Sequence, residues 1–166
     1  TGTRPYDLKG FLGYRNFFLK DERGEFLAKA NSLWSLLATG TNKPTAIPEA
    51  MTEGYRLEER LAMDYAPRKI TVPAGGELRE PVTVKQHHLD TNHHVNNQQF
   101  IDIAMDYLPE CFAIRQVRAE YKRQAFLGDI LMPRVSQRED SVWVTLEDQE
   151  ESPYVVAEFR RPEAAD

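Results

Sequence analysis

Between Gln86 and Asn97 the chain concentrates polar and titratable side chains: QHHLDTNHHVNN. All four histidines, His87, His88, His93 and His94, fall there, with Asp90, Asn92, Asn96 and Asn97 among them. Asp90, Asn92 and His94 stand at i, i+2 and i+4, so an extended backbone would set these three side chains on one face. A helix should follow. Ile101, Ala104, Met105 and Leu108 recur at helical spacing, Phe100, Ile103 and Tyr107 widen the stripe, and Pro109 stops it. The first turn of such a helix carries unpaired backbone N–H groups and the positive end of its dipole. A carboxylate, an amide and an imidazole beside those donors can polarise a carbonyl and position water. Those are the needs of acyl-ester or thioester hydrolysis.

Plainer roles are open to the same residues. Asn92 could cap the helix or form a turn, and Asp90 could close an Asx turn. Asn96 and Asn97 could satisfy the backbone where the helix begins, and His87 and His88 fit exposed strand ends. Two adjacent histidine pairs separated by four residues are not a helical metal-ligand pair, and no cysteine lies near them, so no metal and no cofactor is assigned.

The elements that must hold this stretch are mostly strands. Gly13 to Lys20 is rich in Tyr and Phe, Asp21-Glu22-Arg23-Gly24 suits a hairpin turn, and Glu25 to Ala38 suits a long strand. Thr1 to Gly10 carries no clear signal. Thr39 to Pro48 is punctuated as a loop, Pro48 to about Glu53 suits a short helix, and Leu57 to Tyr65 could form another. Beyond the central stretch, strands are expected over Val82 to Gln86, Ile114 to Ala125, Ile130 to Gln137, Val142 to Leu146 and Tyr154 to Arg160, with turns at Ala125 to Asp129 and Asp140-Ser141. Pattern alone gives an α+β fold, an antiparallel sheet with one buried helix.

The chain has 166 residues, 41% of them hydrophobic, enough for one ordinary core or a module plus a fragment. No apolar run of about 18 residues is present to make a membrane-spanning helix. A net charge of −5 argues against nucleic acid as a partner. One cysteine, Cys111, cannot close an internal disulfide; it suits a reducing compartment, fits a packed thiol, and makes the cytoplasm the expected location. An acidic protein partner would need a local cationic patch, for which Arg115, Arg118, Lys122, Arg123 and Arg134 are candidates.

Asp90-x-Asn92-x-His94-Val95-Asn96-Asn97, running into an amphipathic helix, resembles the active-site segment of the acyl-acyl-carrier-protein thioesterases, enzymes built from two hotdog modules. Glu120-Tyr121-Lys122-Arg123 with Gly128-Asp129 resembles that family's second-module strand and turn. Tyr14-Arg15-Asn16-Phe17, Asp21 to Gly24 and Asn31-Ser32-x-Trp34 resemble its first-module strands. The resemblance implies a hotdog, a sheet curled round a long central helix. It divides the chain into 1–53, the closing strands of an incomplete first module; 54–81, a linker crossing the outside of the sheet; and 82–166, a second module with the catalytic segment. It places an earlier D…H-V-N-N-like segment and helix before Thr1, so the chain is expected to begin inside the first module.

What the resemblance implies for function is release of free fatty acid from acyl-acyl carrier protein by direct water attack. The partner is then the carrier protein with its phosphopantetheine-linked chain, and association of two chains as a homodimer is left open. The site is expected at Asp90, Asn92 and His94, with the N–H groups around Val95 and Asn96 polarising the carbonyl. The family often has glutamate and then cysteine where this chain has Gln124 and Ala125. Gln124 can hold a water but cannot take its proton, so the base falls to His94 or Asp90. An acyl-coenzyme A thioesterase would use the same residues, and the missing carboxylate at Gln124 also fits a non-catalytic acyl-binding module.

Overall fold

The structure, a computed structural model, describes residues 1–41 and 43–162. The chain divides into two compact units, Thr1–Ala66 and Pro67–Asp166. The boundary falls inside the segment 54–81 expected as a linker, so 54–66 folds with the first unit and 67–81 with the second. Asn42, in the expected loop 39–48, and residues 163–166 lie outside the described residues.

The first unit is an antiparallel meander of β1 (Gly2–Lys9), β2 (Leu12–Lys20) and β3 (Phe26–Ser35), followed by the short helix α1 (Glu49–Thr52) behind Pro48. The expected turn at Asp21 closes the β2–β3 hairpin. Asp21 Oδ1 accepts the N–H groups of Arg23 and Glu25, each at 2.9 Å, and Gly24 takes φ 85°. β1 carried no signal in its own residues; it exists through its pairing with β2, which is broken by a bulge between Pro5 and Asp7. The helix expected over Leu57 to Tyr65 does not form. Asn16, fully buried on β2, captures that segment instead: its Oδ1 accepts the Leu61 N–H at 3.0 Å and the Tyr65 hydroxyl at 3.1 Å. One face of the meander keeps an open groove of about 540 Å³, lined by Leu8, Tyr14, Phe17, Trp34, Leu36 and Met51 among others.

The second unit is a six-stranded antiparallel sheet. β7 (Ile130–Gln137), β8 (Ser141–Glu147), β9 (Pro153–Arg160) and β6 (Gln116–Tyr121) follow in that spatial order, and the short β4 (Glu77–Leu78) and β5 (Val82–Thr83) both pair with the outer side of β7. Pro133 interrupts β7 between those two short partners. Its carbonyl faces outward to the Arg79 N–H at 2.8 Å, so its missing N–H falls in the gap rather than on β8. The helix α2 (Asn97–Met105) packs against β8 and β9.

Alternation assigns the two faces of the sheet. Val142, Val144, Leu146, Val155, Ala157 and Phe159, all fully buried, meet Phe100, Ile103 and Ala104 of α2. The helix ends at Met105, short of Leu108, and Met105 itself is 42% exposed. The opposite face is covered by the incoming segment 67–76. Ile70 and Val72 pack on Trp143 and Val156; the Ile70 N–H bonds Glu120, and Ser136 Oγ donates to the Pro73 carbonyl at 3.2 Å. Gly76 passes so close that a Cβ there would lie 2.6 Å from Ser136 Oγ. Glu158, also on this face, is buried between the guanidinium groups of Arg118 and Arg160. Every residue of β8 is therefore buried. The indole Nε1 of Trp143 has no hydrogen-bond partner among the described residues.

Phe159→Ala should cost about 3–5 kcal/mol of stability in urea unfolding, because it empties the centre of this core. Val117→Ala, on the 42%-exposed face of edge strand β6, should change it by no more than about 0.5 kcal/mol.

Candidate active site

The stretch 90–94 is not extended. Asp90 N–H donates to the His94 carbonyl at 2.8 Å, and Asp90 Oδ1 accepts the N–H of Asn92 at 2.8 Å and of His94 at 3.3 Å. His93 completes the reversal with φ 62°. Leu89 and Val95 face each other as an antiparallel bridge at the base of this loop. The one-face geometry expected for Asp90, Asn92 and His94 is replaced by a tight loop that still gathers all three. The reason is local: a short carboxylate finds backbone donors two and four residues ahead.

Asp90 is consequently a poor base. The Asn92 N–H holds its carboxyl below the usual carboxylate range, opposed by partial burial and aided by the His94 N–H. Asn92 is exposed and does not cap the helix. The cap is Asn96, whose Oδ1 accepts the Gln98 N–H at 2.8 Å. His94 is half-buried, and its ring stands edge-to-face on Phe126 at 5.0 Å and 87°.

The N–H groups of Val95 and Asn96 cannot polarise a substrate carbonyl. Val95 N–H is bound to the Ala125 carbonyl at 2.9 Å, and Asn96 N–H to the His88 carbonyl at 2.9 Å. The donors of the helix start without a partner among the described residues are those of Asn97 and Gln99. The Val95–Ala125 bond has a second effect. It draws the segment after β6 against the loop, so that Gln124 lies one residue from the contact and His94 one residue from it on the other side. Gln124 is exposed and its amide makes no hydrogen bond among the described residues. Ala125 is fully buried in the core cluster that includes Val95 and Phe100.

Three neighbours that were not among the expected site residues shape the loop. Tyr121 donates its hydroxyl to the Asn97 carbonyl at 3.1 Å, and burial raises its pKa. Phe126 supports the His94 ring. His88, expected to be exposed, is buried, and its Nδ1 accepts the Lys85 N–H at 3.0 Å. No period or spacing marks a lone histidine for burial. Cys111, expected to be packed, is exposed, in a left-handed turn with φ 58°.

The cationic candidates are largely neutralised. Arg118 pairs with Glu158, Lys122 with Glu120, Arg123 with Asp148, and Arg134 with both Glu147 and Glu151. Of the five, Arg115 has no ion pair among the described residues. No group of three or more His, Cys, Asp or Glu among the described residues is placed to hold a metal ion.

Because the Asp90 carboxyl is held low, its contribution to loop order is complete above the unfolded value of 3.8 and is lost as pH falls through the lower folded value. The protection of the Asn92 and His94 amides against exchange, relative to their intrinsic rates, should therefore fall on acidification below that point, and Asp90→Asn should remove this change in protection. Asn96→Ala, which removes the helix cap, should cost about 1 kcal/mol in thermal or urea unfolding.

Comparison with known proteins agrees with this architecture. The acyl-ACP thioesterase C-terminal domain matches residues 73–160, more than half of the chain. The chloroplastic acyl-acyl-carrier-protein hydrolase FATB1 of Cuphea viscosissima is 23% identical over 124 residues, covering 65% of this chain and 28% of its own length. The chloroplastic dodecanoyl-acyl-carrier-protein hydrolase of Cinnamomum camphora is 25% identical over 127 residues, covering 70% of this chain and 33% of its own. The chain thus spans about a third of the length of the curated relatives it matches. Among solved structures, an acyl-ACP thioesterase from Bacteroides thetaiotaomicron superposes with TM-score 0.83 at 20% identity, over 96% of this chain and 67% of that one. The 12:0-ACP thioesterase from Umbellularia californica gives TM-score 0.83 at 20% identity, over 97% and 66%. These likenesses carry the α+β hotdog fold. The match over 73–160 takes in the Asp90 loop, the helix behind it and the sheet beneath, and on it the chain belongs to the acyl-ACP thioesterase family.

Proposed function

We propose that this chain carries the hydrolytic site of a thioesterase that frees fatty acids from acyl carrier protein and so ends chain elongation. The observation that carries the proposal is the Val95–Ala125 hydrogen bond, which ties the chain beside His94, just ahead of α2, to the chain beside Gln124. Family membership supports the substrate class, and the curated relatives are named as hydrolases of acyl-acyl carrier protein.

In this reading His94 is the base. Asp90 is committed to the loop backbone, and Gln124 can orient a water but not deprotonate it. His94 takes a proton from water, and the resulting hydroxide adds to the thioester carbon. The developing oxyanion is stabilised by the helix-start donors without a partner among the described residues, the N–H groups of Asn97 and Gln99, and by the Asn92 amide. Collapse expels a thiolate, whose conjugate acid has a pKa of about 8.5, so no strong general acid is needed. Coenzyme A esters present the same phosphopantetheine arm. We favour the carrier protein on the family match, and we place the enzyme in the cytoplasm on its single unpaired cysteine.

The test is thiol release from acyl-acyl carrier protein across chain lengths, with acyl-coenzyme A in parallel. His94→Ala should lower kcat at least about 100-fold with little change in KM. Gln124→Glu, which places a carboxylate beside the water, should raise kcat by about tenfold or more. Equal or better turnover of coenzyme A esters would replace the carrier protein as substrate. Tight acyl-thioester binding without thiol release would make the chain a binding module.

A further inference from the structure

His88 is the one histidine of the four that is buried, and the hydrolytic reading gives it no task. Its surroundings are built. It ends a single 3₁₀ turn, Gln86–His88, that leaves β5 and leads into the Asp90 loop. The turn is closed twice. His88 N–H donates to the Lys85 carbonyl at 3.0 Å, and the Lys85 N–H donates back to the ring Nδ1 at 3.0 Å. The carbonyl of the same residue then accepts the N–H of Asn96, the cap of α2, at 2.9 Å. One residue therefore ties the entry of the loop to its exit. Between those ties lie the Leu89–Val95 bridge and the whole of 90–94, including His94.

We infer that His88 is a positioning residue for the hydrolytic site: the Nδ1 lone pair locks the 3₁₀ turn, and the turn fixes the carbonyl that sets the helix cap and, through it, the place of His94. The inference rests on the hydrolytic reading of His94. It requires that the ring carry its proton on Nε2, since a nitrogen that accepts from an amide cannot also bear one. A protonated imidazole has no acceptor at all. The environment opposes that state: burial lowers the His88 pKa, and His87, whose ring packs at 4.2 Å, and Lys85 lower it further. Those two are the titratable groups acting on the ring among the described residues. With its folded value depressed, the group's contribution to order is complete above 6.5, the unfolded value, and is lost as pH falls through the lower folded value.

The experiment compares wild type, His88→Asn and His88→Leu. Asn presents an oxygen near the place of Nδ1 and does not titrate, whereas Leu fills volume without an acceptor. Nitrogen-15 NMR of the histidine rings at pH 7 should show His88 with Nδ1 unprotonated and Nε2 protonated. Below pH 6.5 it should stay neutral further than an exposed histidine would. His88→Leu should lower kcat by about tenfold or more with KM little changed, because the displaced group is His94 and not a substrate contact. His88→Asn should restore kcat to within about threefold and remove one ionisation from the acid limb of its pH profile. A proton on Nδ1 in the wild type, or equal kcat in wild type and His88→Leu, would overturn the inference. So would equal losses in the two variants, tracking their stability alone. A wild type that hydrolyses no thioester would sink the hydrolase reading instead. Positioning would then be judged from the His94 ring resonances, which must shift in His88→Leu and not in His88→Asn; if they do not, it too falls.

Discussion

The hydrogen bond from the Val95 amide to the Ala125 carbonyl is the constraint on which the arrangement of the site depends. It joins two pieces of chain that are thirty residues apart and that no strand pairing among the described residues holds together. On one side it ends the Asp90 loop and buries Val95 in the core under α2. On the other it fixes the turn after β6, where the Asp129 carboxylate accepts the Phe126 N–H at 2.9 Å and Gly128 takes φ 89°. An unpaired amide at that depth would cost roughly 1–3 kcal/mol, so the bond is expensive to break once Val95 is buried. The same bond consumes a donor that the helix start would otherwise offer a substrate. Structural closure and carbonyl polarisation compete for the same N–H groups, and at Val95 and Asn96 closure has taken them.

Much of the second unit was legible because its information is periodic. Val142, Val144, Leu146 and their alternates Trp143 and Thr145 state a strand, and the sheet uses both faces of it. Glycines at 24 and 128 mark turns whose positive φ only they enter cheaply. The closeness of Asp90, Asn92 and His94 was also legible, but not its geometry. Extended alternation and an Asx-type loop both keep residues i, i+2 and i+4 near one another. What separates them is whether the carboxylate turns back on its own backbone, and composition does not say.

The failures share a cause, which is long-range capture. β1 has no clear signal of its own and becomes a strand by pairing with β2. Leu57 to Tyr65 has helical spacing, but the Asn16 side chain, over forty residues earlier, claims the Leu61 amide and the Tyr65 hydroxyl. Several of the basic residues looked like a patch because their partners are distant in sequence: Arg118 on β6 meets Glu158 on β9, and Arg123 meets Asp148. His88 belongs to the same class. Its burial follows from where the 3₁₀ turn lands on the core, not from its neighbours in sequence.

The two tryptophans divide between the two units, and their surroundings are opposite. Trp34, on β3 of the first unit, is 58% exposed; Trp143, on β8 of the second, is 7% exposed with its indole N–H facing no acceptor among the described residues. Indole emission shifts to the red in water and to the blue in a dry setting, and a small polar quencher reaches only the former. Trp143 alone therefore has a blue-to-red shift to give on unfolding, so the colour of the emission follows the melting of the second unit.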